Sequence, residues 1–391
     1  MNDHITFVTK KVHAPMGNHY FDAVLICIRN DDTGAFAVHP VTAFLREEYF
    51  DGNSAETMKQ IAAYICHFLN WYKDVALKDD LRDMTIDDIS VYLNEEALSK
   101  YMKRKSLDHK KSFLMRFLYY LVKKEVVTSV HKNDLYTPRV FRGRTVLQNH
   151  VKLTVPQSQL KPDNVVKVKT IEAKYFIPFM NAAVKTCPEI AFGILLSFTG
   201  GLRAGEVVNL DKSAYTCLGP YGVDGFILDV RKRDLRKDCQ VGNVKRTRMQ
   251  KTIPAGAIAK DILEMHLKYY TSPDCDALFI NENGLPMTVE SYRNRFNRVK
   301  EAFIKDLKDN DDFAAYSYAL YLESTPWSTH IGRGFFSNTI AKVTGNDPGM
   351  LAACRGDRDP TSSLVYLDGE TIKAASQVLN RWYQKELGDD Y

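Results

Sequence analysis

Hydrophobic and polar positions follow two different periods along the chain, and the change of period divides it. Phe21 to Ile28 is apolar and β-branched, Asp31-Asp32-Thr33-Gly34 is a turn signal, and Ala35 to Val41 is placed to return as a partner strand. A hairpin of this kind is marginal alone and should dock on the next domain. Residues 1–45 therefore read as a small β-rich segment, to which the pattern assigns no function. From Asn53 the period becomes helical. Asn53 with Glu56 resembles a capping pair, and Met58, Ile61, Ile65, Leu69 and Tyr72 make an i, i+3/i+4 stripe. Thr85 with Asp88 marks a second start leading into Ile86, Ile89 and Leu93, and a further helix carries Phe113, Phe117, Leu118 and Leu121. Four or five helices between about 53 and 127 predict a compact all-α domain over 46–135.

Between the last two of these helices the pattern leaves KYMKRKSLDHKK (100–111), a basic patch that fits a solvated face as well as it fits phosphate contact. Residues 136–169 are basic and irregular, with Pro138, Pro156 and Pro162 breaking any helix, and read as an interdomain linker whose charge would suit a strap on a polyanion. A second domain, 170–391, starts with a helix to about Val184 and another from Pro188 to Phe198. Gly200 and Gly201 can supply its left-handed cap, and a new helix is expected over Leu202 to Leu210. Phe226, Leu228 and Val230 alternate with polar-facing neighbours as a strand, and Thr252-Ile253-Pro254 closes its return partner across a long basic connection, 231–251. Helices are expected again around 256–270, 288–306 and 311–322.

Composition narrows the class without naming it. A length of 391 residues implies two or three domains, and 45% hydrophobic with 26% charged residues is the balance of a soluble globular chain. The net charge of +5 permits nucleic-acid binding, but so small an excess means that any such surface is local. Seven scattered cysteines with no CxxC pair argue for a reducing compartment and against a disulfide framework or a zinc site. No signal peptide opens the chain and no apolar run approaches membrane-spanning length, so a cytoplasmic protein with no membrane partner is expected.

Candidate chemistry gathers in residues 326–366, PWSTHIGRGFFSNTIAKVTGNDPGMLAACRGDRDPTSSLVY. His330 and Arg333 lie about one helical turn apart, and Tyr366 follows a glycine- and proline-punctuated run. A phenol attacks only where a base takes its proton and cations stabilise the anionic transition state, and histidine, arginine and tyrosine together meet that need at a phosphodiester. Any one of 21 tyrosines or 10 histidines is ordinarily packing or surface; only the ensemble says more. Upstream, Arg203 in SFTGGLRAGEVVNL (197–210) is expected at a helix N-terminus that favours anions, with Glu206 one turn on, able to hold the guanidinium in a bidentate pair.

Taken together, these stretches resemble the tyrosine recombinases, the phage-integrase family of DNA breaking–rejoining enzymes, over about residues 50–385. GGLRAGEVVNL (200–210) resembles the family's TGLRxxExxxL box, HIGRGFFSN (330–338) resembles HxLRHxFA, and Leu351 to Tyr366 resembles the LGHxxxxxTxxxY ending. They stand in the family's order, with 127 positions from Arg203 to His330 and 33 from Arg333 to Tyr366. The resemblance implies a fold that is mainly α and multidomain: an all-α, SAM-like core-binding domain and a mixed α/β catalytic domain with a small antiparallel sheet, closing as a C-shaped clamp on double-stranded DNA. By the same resemblance Arg203 and Arg333 clamp the scissile phosphate, His330 assists proton transfer, and Tyr366 forms a 3′-phosphotyrosyl link that releases a 5′-hydroxyl. A lysine on the β-hairpin protonates the leaving oxygen; counted back from Ile253-Pro254, Lys245 is the match, with Lys251 as its rival. Two arginines neutralise the developing charge, and an ammonium can donate a proton where a guanidinium cannot. The family's pattern implies no cofactor and no metal, a homotetramer on synapsed DNA, a possible directionality factor, and a C-terminal segment (Glu370 to Tyr391) docking on a neighbouring protomer.

The sequence also departs from the pattern. Gly200 occupies the usual threonine position, Gly334 replaces a common histidine, and Asp357 falls nine residues before the tyrosine, where the family has histidine or tryptophan. An ionised acid there cannot donate a hydrogen bond. Asp357 either supports Arg333 or His330, caps the element before Tyr366, or yields the position to Arg358 by a shift of one. A type IB topoisomerase-like relaxing enzyme and a DNA-binding regulator with weakened catalysis are the alternative functions.

Overall fold

In the computed structural model of the chain, the described residues are 5–16, 19–50, 54–141, 144–162, 167–343, 345 and 347–356. Asn53, Asp357, Arg358 and Tyr366 lie outside them. Two compact units make up the chain, Met1–Val165 and Val166–Tyr391.

The first unit opens with a long antiparallel hairpin, β1 (Ile5–Met16) and β2 (His19–Asn30), to which the short β3 (Phe36–Val38) is added across β2. The expected pairing of Phe21–Ile28 with its return segment is present, but only as Cys27↔Val38 to Arg29↔Phe36, and most of the pairing is with β1, a strand the pattern did not predict. Four helices come next: α1 (Thr42–Tyr49), α2 (Ala55–Asp74), α3 (Ile86–Ser99) and α4 (Arg104–Lys123). Ser54 caps α2 by accepting from the Thr57 N–H at 3.2 Å, one residue after the expected cap. Thr85 and Asp88 form the capping box at α3, where each supplies what the other's backbone lacks. The hairpin packs on α2 through buried Val24 and Ile26, and the unit's core runs through Ile61, Ile65, Phe68, Leu93, Leu114 and Phe117.

Two expectations change here. Only three of the helices fall between 53 and 127, because α4 begins at Arg104 and absorbs most of the basic patch. Lys110, one of its cations, is 2% exposed, donates to the Tyr92 hydroxyl at 2.9 Å and is ion-paired with buried Glu96. A buried lysine is invisible to a hydrophobicity pattern, which therefore started this helix at Phe113. Residues 136–149, expected to be irregular, form a second hairpin, β4 (Tyr136–Phe141) and β5 (Arg144–Asn149), with Pro138 opposite Leu147. Proline excludes a helix there, but a two-stranded ribbon tolerates the missing N–H. Val151, Val155 and Leu160 then pack into the first unit's core, and the Asn94 side chain accepts from the Thr154 N–H at 2.8 Å and donates to the Lys152 carbonyl at 2.8 Å.

The second unit is built on one buried helix. α5 (Phe176–Thr186) leads into α6 (Pro188–Gly200), whose residues from Ile190 to Gly200 are all buried. Proline at its first position and Gly201 in the left-handed region (φ 66°) after its last explain its ends. A single turn, α7 (Ala204–Val207), comes after it, shorter than the helix expected over Leu202 to Leu210. The sheet has the order β6 (Tyr215–Cys217), β7 (Phe226–Val230), β8 (Arg248–Lys251), antiparallel throughout, with Phe226, Leu228 and Val230 buried as the alternation requires. Strand β6 was not predicted; three residues carry too little period to read. Helices α8 (Ala257–Tyr269), α9 (Val289–Lys308), α10 (Phe313–Ser324), α11 (His330–Val343) and α12 (Pro348–Arg355) complete the described part. Gly332 lets α11 press against α6: a Cβ there would stand 2.9 Å from Ser197 Cβ and Phe198 Cδ2. That close approach brings α11 to the loop after α6, where the candidate site lies.

Candidate active site

Arg203 stands immediately before α7 in extended conformation (φ −82°, ψ 153°). Its backbone N–H donates to Glu206 Oε2 at 2.9 Å and its Nη1 to Glu206 Oε1 at 3.0 Å. A one-turn helix has little dipole, so an anion here would meet the guanidinium itself rather than the end of a helix. The bidentate partner of Glu206 is not Arg203, as the spacing predicts, but Arg248 on β8: Nη1 to Oε1 at 3.0 Å and Nη2 to Oε2 at 3.1 Å. The Glu206 side chain has no exposed surface and that of Arg248 is 9% exposed, whereas that of Arg203 keeps 25% open to solvent. Burial pushes the Glu206 carboxyl up, yet the hydrogen bonds and charges of Arg248 and Arg203 hold it below its usual range.

Arg333 enters from α11 and is 2% exposed. Its Nη1 donates to the Gly201 carbonyl at 2.6 Å and its Nη2 to the Arg355 carbonyl at 3.3 Å, so backbone from two other segments fixes the guanidinium plane. His330, the first residue of α11, keeps an exposed face. Partial desolvation lowers its pKa from the ordinary 6.5, and the positive field of Arg203, Arg333, Arg293 and Lys245 pushes the same way. The charges of Arg203, Lys245 and Arg333 thus all act on His330 although they come from several separate segments.

The lysine candidates separate. Lys245 precedes β8 and is among the cations whose field reaches His330. Lys251 is the last residue of β8, paired across the sheet with Ile227 and exposed to solvent. Strand β8 and the connection before it also meet the end of α12: Gln250 Nε2 donates to the Cys354 carbonyl at 2.9 Å and Arg246 Nη1 to the Gly356 carbonyl at 3.1 Å. Gly356 caps α12 in the left-handed region (φ 65°), and a Cβ on it would collide with the Arg248 side chain. The described chain ends there, so Asp357 and Tyr366, the sequence's candidate supporting acid and nucleophile, lie outside the described residues.

Two participants carry no mark in the sequence. Arg248 sits in a basic run where no charge stands out, and only the strand register places it behind Glu206. Arg293 is an exposed residue of α9, and nothing in a helical stripe marks it as a neighbour of His330. Among the described residues no group of three or more His, Cys, Asp or Glu is placed to hold a metal ion, and none of their helices is long and apolar enough to cross a membrane. None of the seven cysteines is in a disulfide.

The sequence matches no protein-family model and no curated protein. Solved structures do match. The integrase of the Tn1549 transposon, in complex with transposon right-end DNA, is 16% identical, with 87% of this chain and 97% of that one covered and a TM-score of 0.55. Lambda integrase, a dimer bound to a COC′ core site, is 14% identical over 83% of this chain and 93% of that one, with a TM-score of 0.52. The XerH site-specific recombinase, in a post-cleavage complex with palindromic difH substrate, is 12% identical over 84% and 81%, with a TM-score of 0.51. At these identities the likeness is one of fold: the chain has the mainly helical fold, with small antiparallel sheets, of the tyrosine recombinases.

Proposed function

We propose that the protein is a site-specific DNA recombinase or integrase that cuts and rejoins DNA through a 3′-phosphotyrosyl intermediate. One observation carries the reading: buried Arg333 is anchored on the Gly201 carbonyl, two residues before Arg203, so that the two arginines of separate segments meet at one loop, and their charges together with that of Lys245 act on His330, an arrangement suited to a phosphodiester. Tyr366 Oη attacks phosphorus and gives up its proton with the assistance of His330; the bond to the 5′-oxygen breaks, and Lys245 supplies the proton that makes this oxygen a hydroxyl. Arg203 and Arg333 stabilise the pentavalent charge, Arg333 as a fixed, buried donor and Arg203 as the more open one. The reverse attack by a 5′-hydroxyl conserves the bond and completes rejoining, so the cycle is isoenergetic and needs no nucleotide. Glu206 orients Arg203, and Asp357 is a supporting residue that orients an arginine.

Double-stranded DNA is the proposed substrate. The Tn1549 neighbour was solved with a transposon end and, in another complex, with a circular intermediate, which favours integration or excision of a mobile element over relaxation of supercoils. A homotetramer on synapsed DNA, with a directionality factor, is the finer form of the proposal. The test uses a randomised pool of nicked duplexes, in which the short strand beyond the cut diffuses away and traps the intermediate. An SDS-resistant protein–DNA adduct enriched for one sequence is expected; DNA retained without any covalent adduct would favour a regulator that has lost the chemistry.

A further inference from the structure

Strand β8 touches two parts of the candidate site at once, the Glu206–Arg203 pair and the end of α12. Arg248 grips both oxygens of Glu206, whose same two oxygens take the backbone N–H and Nη1 of Arg203. The charges of the trio give this grip its consequence. Two guanidinium charges against one carboxylate leave it at net +1. Without Arg248, Glu206 and Arg203 would neutralise one another in a site where neither can be rehydrated on the Glu206 side. A buried carboxylate with a single partner would also draw that partner inward, away from an incoming phosphate. Because the fork of Arg248 occupies Glu206 from behind, Glu206 takes the backbone N–H and one guanidinium nitrogen of an Arg203 side chain that is 25% exposed.

We infer that Arg248 is a positioning residue for DNA cleavage: it holds the Glu206 carboxylate so that Arg203 presents its charge and direction to the phosphate. The inference rests on the proposed reading of the site as a phosphodiester-cleaving one. The same strand, with the connection before it, carries a second link. Arg248 abuts Gly356, while Arg246 and Gln250 hold the carbonyls of Gly356 and Cys354, so the arginine box is joined through β8 to the end of the chain segment that leads towards Tyr366. Arg rather than Lys is required, since an ammonium cannot take two carboxylate oxygens in plane.

The experiment measures single-turnover adduct formation on the nicked duplex recovered from the pool, together with DNA affinity and the thermal midpoint. Arg248→Lys keeps the charge and loses the fork; its cleavage is expected to fall about tenfold with affinity and thermal midpoint near wild type. Arg248→Met, which takes the trio from +1 to 0, is expected to cleave about 100-fold more slowly. Since that variant leaves Glu206 buried with one partner and could fold poorly, Arg248→Met/Glu206→Gln removes both charges and restores the net +1 on Arg203. Its cleavage is expected to recover about tenfold over Arg248→Met. A purely structural role would lower midpoint and rate together in Arg248→Lys. That result, or a double variant no faster than Arg248→Met, or an Arg248→Met variant as fast as the wild type, overturns the inference and leaves the function standing. A wild-type protein that forms no adduct overturns the reading of the site and the inference with it.

Discussion

Gly332→Ala tests how the fold sets the position of Arg333. The new methyl would stand 2.9 Å from both Ser197 Cβ and Phe198 Cδ2 and 3.0 Å from the Ser197 carbonyl carbon. Relaxing these contacts to an ordinary separation of about 3.5–4 Å requires α11 to retreat from α6 by roughly 0.5–1 Å. Overpacking of this kind costs about 1–3 kcal/mol, while alanine in place of glycine within a helix returns about 0.5–1 kcal/mol. The net loss is therefore about 0–2.5 kcal/mol, small beside a typical domain stability of about 5–15 kcal/mol. The effect on chemistry is expected to be larger. Arg333 is the next residue, and its Nη1 reaches the Gly201 carbonyl at 2.6 Å. A misplacement of about 1 Å costs on the order of 100-fold in rate. The variant should thus melt within a few degrees of wild type, bind DNA, and form adduct about 10–100-fold more slowly. Wild-type rates would refute the claim that the α6–α11 contact sets Arg333; a collapse of the thermal midpoint would refute the estimate of how far the site relaxes.

Three further outcomes are expected. Lys245→Ala should slow cleavage, and a substrate with sulfur at the 5′-bridging position, whose leaving group needs no proton, should restore it; the same rescue in Lys251→Ala instead would move the general acid to β8. His330 has its pKa held below 6.5 by desolvation and by neighbouring cations, so a rate that needs neutral imidazole falls only as the pH drops below that value. Arg293→Gln removes one of those cations, raises the pKa and should shift the acid limb of the pH–rate profile to higher pH; an unmoved limb would remove His330 or Arg293 from the scheme. Lys110→Ala removes one of the two lysines on buried Glu96, which keeps Lys100 at 2.7 Å, and should cost about 1–3 kcal/mol by thermal denaturation, whereas Lys110→Met/Glu96→Leu should recover most of it.

Much of this architecture is legible in the sequence wherever a residue's surroundings are local. The stripe from Met58 to Tyr72, the Thr85–Asp88 box, Pro188 at a helix start and Gly201 at its end are decided within a few residues, and the structure has them. Arg203, Glu206, His330 and Arg333 are legible as spaced motifs. What is not legible depends on contacts between distant segments. Lys110 is buried only because Glu96 and Tyr92 come from another helix, and Arg248 is distinguished from its basic neighbours only by the register that sets Val230 opposite it and Glu206 beside it. Strand β1 alternates weakly, and it is defined by twelve pairings to β2 rather than by its own composition. The division of Glu206 between two arginines has the same origin: spacing supplies Arg203, and tertiary structure supplies the stronger partner.

The most direct measurement is the identity of the residue that carries the DNA. After trapping on the nicked duplex, proteolysis and mass spectrometry should place the 3′-phosphate on Tyr366 and end-labelling should find a free 5′-hydroxyl on the released strand, while Tyr366→Phe binds the same duplex and forms no adduct. DNA attached to Tyr383 or Tyr391, a 5′-linked product, or an adduct that survives in Tyr366→Phe would contradict the account.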